Sequence, residues 1–275
     1  MNKQPKYCMY ATLLDKYESY INSSRIYNQY WGFSENPPHT EEEFEELQRL
    51  SLLDTINRVP FDSEDADRGT VFNEIVDCLI THKASDKMEI ERVYEPEIID
   101  PNNPYVAPPQ VVGIKATYRE REYEFPIAMC REFANYFKGA TTQVLTEGTL
   151  STCYGDVLLY GYIDELMPLS VHDIKMTKRY SVGKFRNNWQ HLVYPFCLNQ
   201  QGNHISDFEY NVAHINILKS GFFYTSHTEH YAYVAERDIP RLKAHVEGLI
   251  EFLEEHKDVI TDKKIFNRHL EKAVA

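Results

Sequence analysis

Residues 161–175 read Gly-Tyr-Ile-Asp-Glu-Leu-Met-Pro-Leu-Ser-Val-His-Asp-Ile-Lys. Apolar and polar side chains alternate on both sides of Pro168 and Leu169, which is typical of two strands joined by a tight turn. A turn centred on Pro168 and Leu169 sets the register of the hairpin. In that register Asp164 lies directly opposite Asp173.

Two carboxylates in opposed positions repel each other unless a positive charge compensates them. Directly opposed residues of an antiparallel pair project to the same face with Cβ atoms ~5 Å apart, where two like charges are destabilising. The same register places Tyr162 opposite Lys175. Side chains alternate along a strand, so we expect Lys175 to share the face of the aspartates while Ile163 and Ile174 point into the core.

Hard divalent cations are the natural partners of such carboxylates. Mg²⁺ favours carboxylate oxygens and keeps bound waters, which suits phosphodiester hydrolysis. Lys175 could orient or deprotonate the attacking water, or stabilise charge that develops on phosphorus. The alternative for this residue is a surface lysine that pairs with a nearby acid.

Four short motifs in the chain follow a known order. The first three, residues 161–164 (Gly-Tyr-Ile-Asp), 173–175 (Asp-Ile-Lys) and 190–194 (Gln-His-Leu-Val-Tyr), resemble the G-x-x-D, D-x-K and Q-x-x-x-Y series of the RecB-like branch of PD-(D/E)XK nucleases. Residues 69–74 (Gly-Thr-Val-Phe-Asn-Glu) are similar to the G-x-x-x-H-E helix motif of that branch. The resemblance covers the chain from residue 69 to residue 194.

The resemblance implies a metal centre. It implies that Asp164 and Asp173 bind Mg²⁺ or Mn²⁺ with help from the Ile174 carbonyl, and that Lys175 is catalytic.

The helix motif implies that Glu74 is a further catalytic residue and metal ligand. The residue before Glu74 differs from the family pattern. Asn73 stands where the family has histidine; an amide can offer an oxygen ligand but cannot bind metal as imidazole does. Asp77 is the alternative to Glu74 as the helix acid, with Glu74 preferred.

The resemblance also implies residues for substrate binding. Gln190 and Tyr194 lie one helical turn apart on one face, and either contact substrate or brace the site. Lys178, Arg179 and Tyr180 follow the catalytic lysine and are candidates for phosphate contact.

These motifs imply a metal-dependent DNA nuclease, with exonuclease action expected, in repair, recombination or phage-type DNA processing. A structure- or sequence-specific endonuclease and a catalytically silent nucleic-acid-binding module stay open as alternatives. RNA as substrate and association with itself or with a recombination or replication protein also stay open.

Composition limits the class of protein. The net charge is −13, but residues 174–206 contain no Asp or Glu and carry five cations, Lys175, Lys178, Arg179, Lys184 and Arg186. The five cysteines are odd in number and scattered, so we expect neither a disulfide framework nor an iron–sulfur cluster. No apolar run approaches the ~20 residues needed to cross a bilayer, and we expect a cytoplasmic protein.

Hydrophobic periodicity predicts an α/β fold in which helices flank a central mixed sheet. The resemblance implies a restriction-endonuclease-like core. We expect this nuclease domain at residues 61–275, after an N-terminal helical extension at residues 1–60. Helical pattern covers residues 7–53, and further helices are predicted at 69–82, 128–137, 184–198 and 239–255. The predicted strands are 111–118, 122–127, 143–151, 157–166, 170–176, 210–218 and 222–234.

Overall fold

The computed structural model describes residues 5–95, 108–219 and 221–266. The described helices are α1 (Ala11–Ile21), α2 (Ser23–Trp31), α3 (Glu41–Ile56), α4 (Glu64–Thr81), α5 (Ile127–Tyr136), α6 (Gln190–Gln200) and α7 (Ala235–Glu255), followed by a 3₁₀ turn at Lys263–Ile265. The described strands are β1 (Tyr7–Tyr10), β2 (Glu89–Tyr94), β3 (Val111–Tyr118), β4 (Arg121–Pro126), β5 (Thr141–Thr152), β6 (Gly155–Leu166), β7 (Ser170–Thr177), β8 (Asp207–Leu218) and β9 (Gly221–Ala232).

The main sheet is mixed, which confirms the predicted α/β class. Its strand order is β1-β6-β7-β8-β9, and β5 pairs with β6 along the other edge of that strand. The β1–β6 and β7–β8 pairs are parallel, while the β5–β6, β6–β7 and β8–β9 pairs are antiparallel. The remaining strands, β2, β3 and β4, form a separate antiparallel sheet.

Strand β6 has an interrupted edge. Strand β5 pairs with it along nearly its whole length. On the opposite edge β1 pairs with residues 157–160, and β7 pairs only with Glu165 and Leu166. Residues 161–164 therefore have no strand partner on that edge among the described strands, and the sheet opens where Asp164 lies.

Two clusters of buried side chains stabilise the fold. The larger cluster contains residues of β1, α1, α3, α6 and α7 together with one side of the main sheet. The smaller contains residues of α4, α5, β3 and β4 together with Ile174, Ala213 and Ile215. Tyr7 and Leu52 belong to the larger cluster, so residues on both sides of position 60 share one core. The division at residues 60 and 61 stays a prediction.

Two predicted elements differ from the structure. The segment predicted as helical from residue 7 begins with strand β1, since its backbone groups pair with residues 157–160 of β6. The helix predicted from residue 184 begins at Gln190. Before it the chain turns through Gly183 (φ +79°), and the Glu229 side chain accepts hydrogen bonds from the N–H groups of residues 183, 184 and 185.

The other predicted helices and strands are present with ends shifted by a few residues, and strand β2 was not predicted. Within the described ranges, no helix combines the length and apolar character needed to cross a membrane.

Candidate active site

The predicted hairpin register is confirmed, but its ladder is short. Glu165 pairs with His172 and Leu166 with Val171, and the Met167 N–H donates to the Ser170 carbonyl at 3.0 Å. The ladder contains no further pairs among the described residues, whereas β7 pairs with β8 along its whole length.

Two details of the predicted hairpin are therefore wrong. Neither Lys175 nor Tyr162 belongs to the β6–β7 ladder, so the two do not pair across the hairpin. Lys175 pairs with Val212 of β8, and Tyr162 pairs with Leu145 of β5. Ile163 lies in the larger core cluster and Ile174 in the smaller, so they do not share one core face.

Asp164 is held where the strands separate. Its Oδ2 atom accepts a hydrogen bond from the Ile174 backbone N–H at 2.9 Å and another from the Asn73 Nδ2 of α4 at 3.1 Å. These contacts connect the G-x-x-D, D-x-K and helix segments. Asn73, which stands at the histidine position, donates to this carboxylate, and its own Oδ1 has no hydrogen-bond partner among the described residues.

Asp173 is held from two sides. Its Oδ2 atom lies 2.6 Å from the Lys175 Nζ, and its Oδ1 accepts a hydrogen bond from the Gln190 side-chain amide. That amide also donates to the Tyr194 hydroxyl at 3.3 Å. The Q-x-x-x-Y helix therefore braces the aspartate of the D-x-K segment, which was one of the two readings open for this pair.

The glycine of the G-x-x-D segment makes room for this brace. A Cβ atom at Gly161 would lie 2.6 Å from the Tyr194 Cε1 atom, far inside van der Waals contact. Glycine at this position lets the Tyr194 ring pack against β6 beside the opening.

Burial shapes the charges of the site. Burial, followed by the charge of the neighbouring Asp173, raises the pKa of Asp164 to about 8, although Lys175 and the Ile174 N–H oppose the shift. The pKa of Asp173 is also raised by burial, against the opposing charge of Lys175. Burial alone would lower the pKa of Lys175, but the two aspartates outweigh it and the pKa is raised. Lys175 is therefore protonated at neutral pH.

Further carboxylates beside Asp164 lack partners. Among the described residues, both side-chain oxygens of Glu165 and of Asp77 are buried without a hydrogen bond of normal geometry, although the Gln143 side chain is near enough to Asp77 to oppose the rise in its pKa. Burial raises the pKa of Asp77 to about 7 and that of Glu165 well above its ordinary value, and Asp164 and Asp77 add to the shift at Glu165. Buried polar atoms are normally satisfied, so this set is short of positive charge.

A divalent cation with oxygen ligands fits this shortage. Asp164, Asp173, Glu165, Asp77 and Asn73 offer the oxygen donors that Mg²⁺ and Mn²⁺ prefer. In the described part of the chain, no group of three or more His, Cys, Asp or Glu side chains is arranged to hold a metal ion. Glu165 was not predicted from the sequence. It lies two residues after the buried Ile163 and so shares its face of β6, and an acid on that face was the signal for it.

Glu74 is engaged away from Asp164. Its carboxylate accepts hydrogen bonds from the Ser85 hydroxyl at 2.7 Å and from the Lys87 ammonium group at 2.6 Å. Asp77, one turn further along α4, is close enough to Asp164 to raise its pKa. The geometry therefore favours Asp77 over Glu74 as the helix acid of the site.

The basic residues after β7 have other contacts. Lys178 pairs with Asp65 of α4 at 2.6 Å, and the Tyr180 ring stacks on His227 with ring centroids 4.5 Å apart. Arg179 is exposed, and its carbonyl accepts a hydrogen bond from Lys184. These residues lie on a surface that joins α4 to β9.

Comparisons with known proteins give little to set beside this geometry. No protein-family profile matches the sequence, and no curated protein matches it. Among solved structures, one titled "Crystal structure of SSO0001" aligns over 90% of this chain and 78% of that chain, with 9% identity and a TM-score of 0.39. A likeness of this size carries no argument about the chain.

Proposed function

We propose that this chain is a metal-dependent nuclease that hydrolyses DNA phosphodiester bonds at the opening between β6 and β7. The observation that carries the proposal is the convergence on this opening of Asp164, Asp173 and Lys175, with the Lys175 ammonium group 2.6 Å from Asp173. The motif resemblance to RecB-like PD-(D/E)XK nucleases supports the same reaction.

Each residue has a part in this chemistry. A bound Mg²⁺ or Mn²⁺ would supply an activated water and neutralise charge on the phosphate. Asp164 and Asp173 would hold the ion together with Asp77, Glu165 or the Asn73 oxygen. The Lys175 ammonium group, 2.6 Å from Asp173, would stabilise negative charge on the phosphate.

Gln190 and Tyr194 act on Asp173. The Gln190 amide donates to one Asp173 oxygen and so fixes the direction in which the carboxylate points. The Tyr194 hydroxyl accepts from the same amide, and burial raises the pKa of this phenol, so it stays neutral. Both residues are positioning residues in this proposal.

Exonuclease action is our first choice because the Q-x-x-x-Y branch is rich in enzymes that process DNA ends; this is an argument by analogy. The alternative from another class is a silent DNA-binding module. Asn73 favours that alternative, because its amide N–H group donates to Asp164 where a cation would bind.

Cleavage of linear and circular DNA by the full chain tests the proposal, with Mg²⁺, with Mn²⁺ and with EDTA. Asp173→Asn keeps the size of the side chain and removes its charge, so we expect a loss of cleavage of at least about 100-fold. Asp258→Asn, at an exposed position outside the site, is the matched control and should cleave like the parent chain. Activity that persists in EDTA, or in Asp173→Asn, would rule the mechanism out; resistance of circular DNA would identify an exonuclease.

A further inference from the structure

A polar cleft lies between the N-terminal helices and the segment at residues 181–188. It has a volume of about 450 Å³ and is lined by α1 and α2 on one side and by this segment on the other. Arg25 and Tyr30 of α2 face Arg186 and Asn187 across it. The proposed nuclease centre does not use any of these four side chains.

The cleft leads toward that centre. Asp15 lines it and accepts a hydrogen bond from the backbone N–H of Trp189, the residue that precedes Gln190. The Gln190 side chain in turn donates to Asp173, so a short series of contacts connects the wall of the cleft with the site. A chain bound along the cleft would therefore lie near the aspartates.

Its cations are available to an anionic ligand. Arg25 and Arg186 are exposed. The Arg25 guanidinium donates only to the neutral Asn22 side chain, at 3.2 Å, and Arg186 forms no side-chain hydrogen bond or ion pair within residues 5–95, 108–219 and 221–266. Two acids also line the cleft: Asp15, which accepts a hydrogen bond from the Trp189 N–H, and Glu18, which accepts one from the Asn22 amide and lies 3.6 Å from His245. With Lys184, the lining carries three cations against these two acids, so its formal charge is positive although the chain carries −13.

An aromatic side chain completes the lining. The Tyr30 ring is 67% exposed. Sites for single-stranded nucleic acid combine cations that follow the backbone with aromatic rings on which bases stack. Pockets of roughly 300–1,000 Å³ hold drug-sized ligands, comparable with one nucleotide, and are far too small for a duplex.

We propose that this cleft binds a single strand of DNA, with Arg25 and Arg186 on its phosphates and Tyr30 against a base, and directs it to the aspartates. The proposal rests on the nuclease function proposed above and names its substrate as single-stranded. A duplex would have to be unpaired before its strand could occupy the cleft.

Binding in EDTA tests this without cleavage. Fluorescence anisotropy of a labelled oligothymidylate of roughly 12 nucleotides measures affinity for the full chain, and a blunt duplex of the same length is the competitor. The single strand should bind at least about tenfold more tightly. The double variant Arg25→Ala/Arg186→Ala should bind it at least roughly tenfold more weakly, and the slope of log K against log[salt] should shrink by about 1.4, because two phosphate contacts are lost.

Matched variants distinguish binding at the cleft from non-specific attraction of DNA to any exposed cation. Arg131→Ala/Lys138→Ala removes two exposed cations at α5 and should leave affinity and slope unchanged. Tyr30→Ala should weaken binding roughly fivefold or more, and Tyr30→Phe should restore it. All substituted positions are exposed, so folding should persist, and circular dichroism checks this.

The proposal would be overturned if the two double variants lost the same amount of affinity for the single strand, or if neither lost any. It would also be overturned if the duplex bound as tightly as the single strand. The nuclease function is judged separately: Asp173→Asn should abolish cleavage and keep binding of the oligonucleotide. Cleavage that depends on Asp173 without any dependence on Arg25 and Arg186 would leave the nuclease standing and remove the cleft.

Discussion

Lys175 lies among carboxylates whose own charges are costly to bury. Its ammonium group pairs with Asp173 at 2.6 Å, and its side chain keeps 25% exposure toward the opening. Removal of a charge that faces a developing negative charge typically slows an enzyme 10²–10³-fold. The residue therefore offers a direct test of the reaction.

Lys175→Met should lower the rate of cleavage of linear DNA at saturating Mg²⁺ by about 100-fold or more, because the positive charge beside the phosphate is lost. Lys83→Met, at an exposed position on the loop after α4, should keep the parent rate. A folded Lys175→Met protein that cleaves within a few-fold of the parent would show that the lysine is only a partner for Asp173.

The buried side chain of His245 makes the stability of the protein depend on pH. Its ring stacks on Trp189 at 3.8 Å between centroids, and burial lowers its pKa to about 4, although a hydrogen bond to the Leu14 carbonyl opposes the shift. In the unfolded chain histidine titrates near 6.5, so between pH 6.5 and 4 the unfolded chain binds the extra proton. The free energy of unfolding must therefore fall as the pH falls through this window.

From pH 7 to pH 5, His245 should account for a loss of about 1–2 kcal/mol in the free energy of unfolding. His245→Phe keeps an aromatic ring against Trp189 and removes the titrating group. Urea unfolding at the two pH values should show a smaller pH dependence in the variant than in the parent chain. An unchanged dependence would mean that other groups carry it.

At the level of elements, the site depends on how closely α6 approaches β6. Gly161 permits this contact, since a Cβ atom there would overlap the Tyr194 ring at 2.6 Å. Gly69 in α4 is different, because a Cβ atom there would meet nothing within 4 Å. Of the two motif glycines, Gly161 is therefore required by close packing, whereas Gly69 is not.

Gly161→Ala should destabilise the protein by about 1–3 kcal/mol, because the added methyl group forces Tyr194 and α6 away from the sheet. It should also reduce cleavage, since Gln190 moves with Tyr194. Gly69→Ala should stabilise the protein by about 0.5–1 kcal/mol through helix propensity. Thermal unfolding of the two variants measures whether stability falls or rises in each. A Gly161→Ala protein as stable as the parent chain would contradict the close contact.

Across the whole molecule, the N-terminal helices share the core of the main sheet. Leu52 of α3 is fully buried in the larger cluster, whereas Leu47 on the same helix is 44% exposed. Leu52→Ala should therefore lower the free energy of unfolding by about 2–5 kcal/mol in one cooperative transition, and Leu47→Ala should change it little. A separate early transition in Leu52→Ala would instead show that residues 1–60 unfold independently.

The local parts of this protein follow from short stretches of its sequence. The turn at Pro168 and Leu169, the register of the hairpin and most helices and strands follow from periods and turn chemistry that act over a few residues. The four motifs also pointed to Asp164, Asp173, Lys175 and Gln190. Asp164 accepts from the Ile174 N–H, and Asp173 contacts Lys175 and Gln190, while the roles of these residues stay predictions.

Contacts between distant parts of the chain fix where the hairpin opens and which acids face the opening. Strands β6 and β7 pair at two positions within the described residues, whereas β7 pairs with the distant β8 along its whole length. Strand β1 forms where β6 offers it an edge. Glu74 is drawn away by Ser85 and Lys87, which leaves Asp77 and Glu165 beside Asp164. The strand pairs and side-chain contacts described here join residues that lie beyond the few positions over which a sequence pattern acts, so no local pattern encodes them.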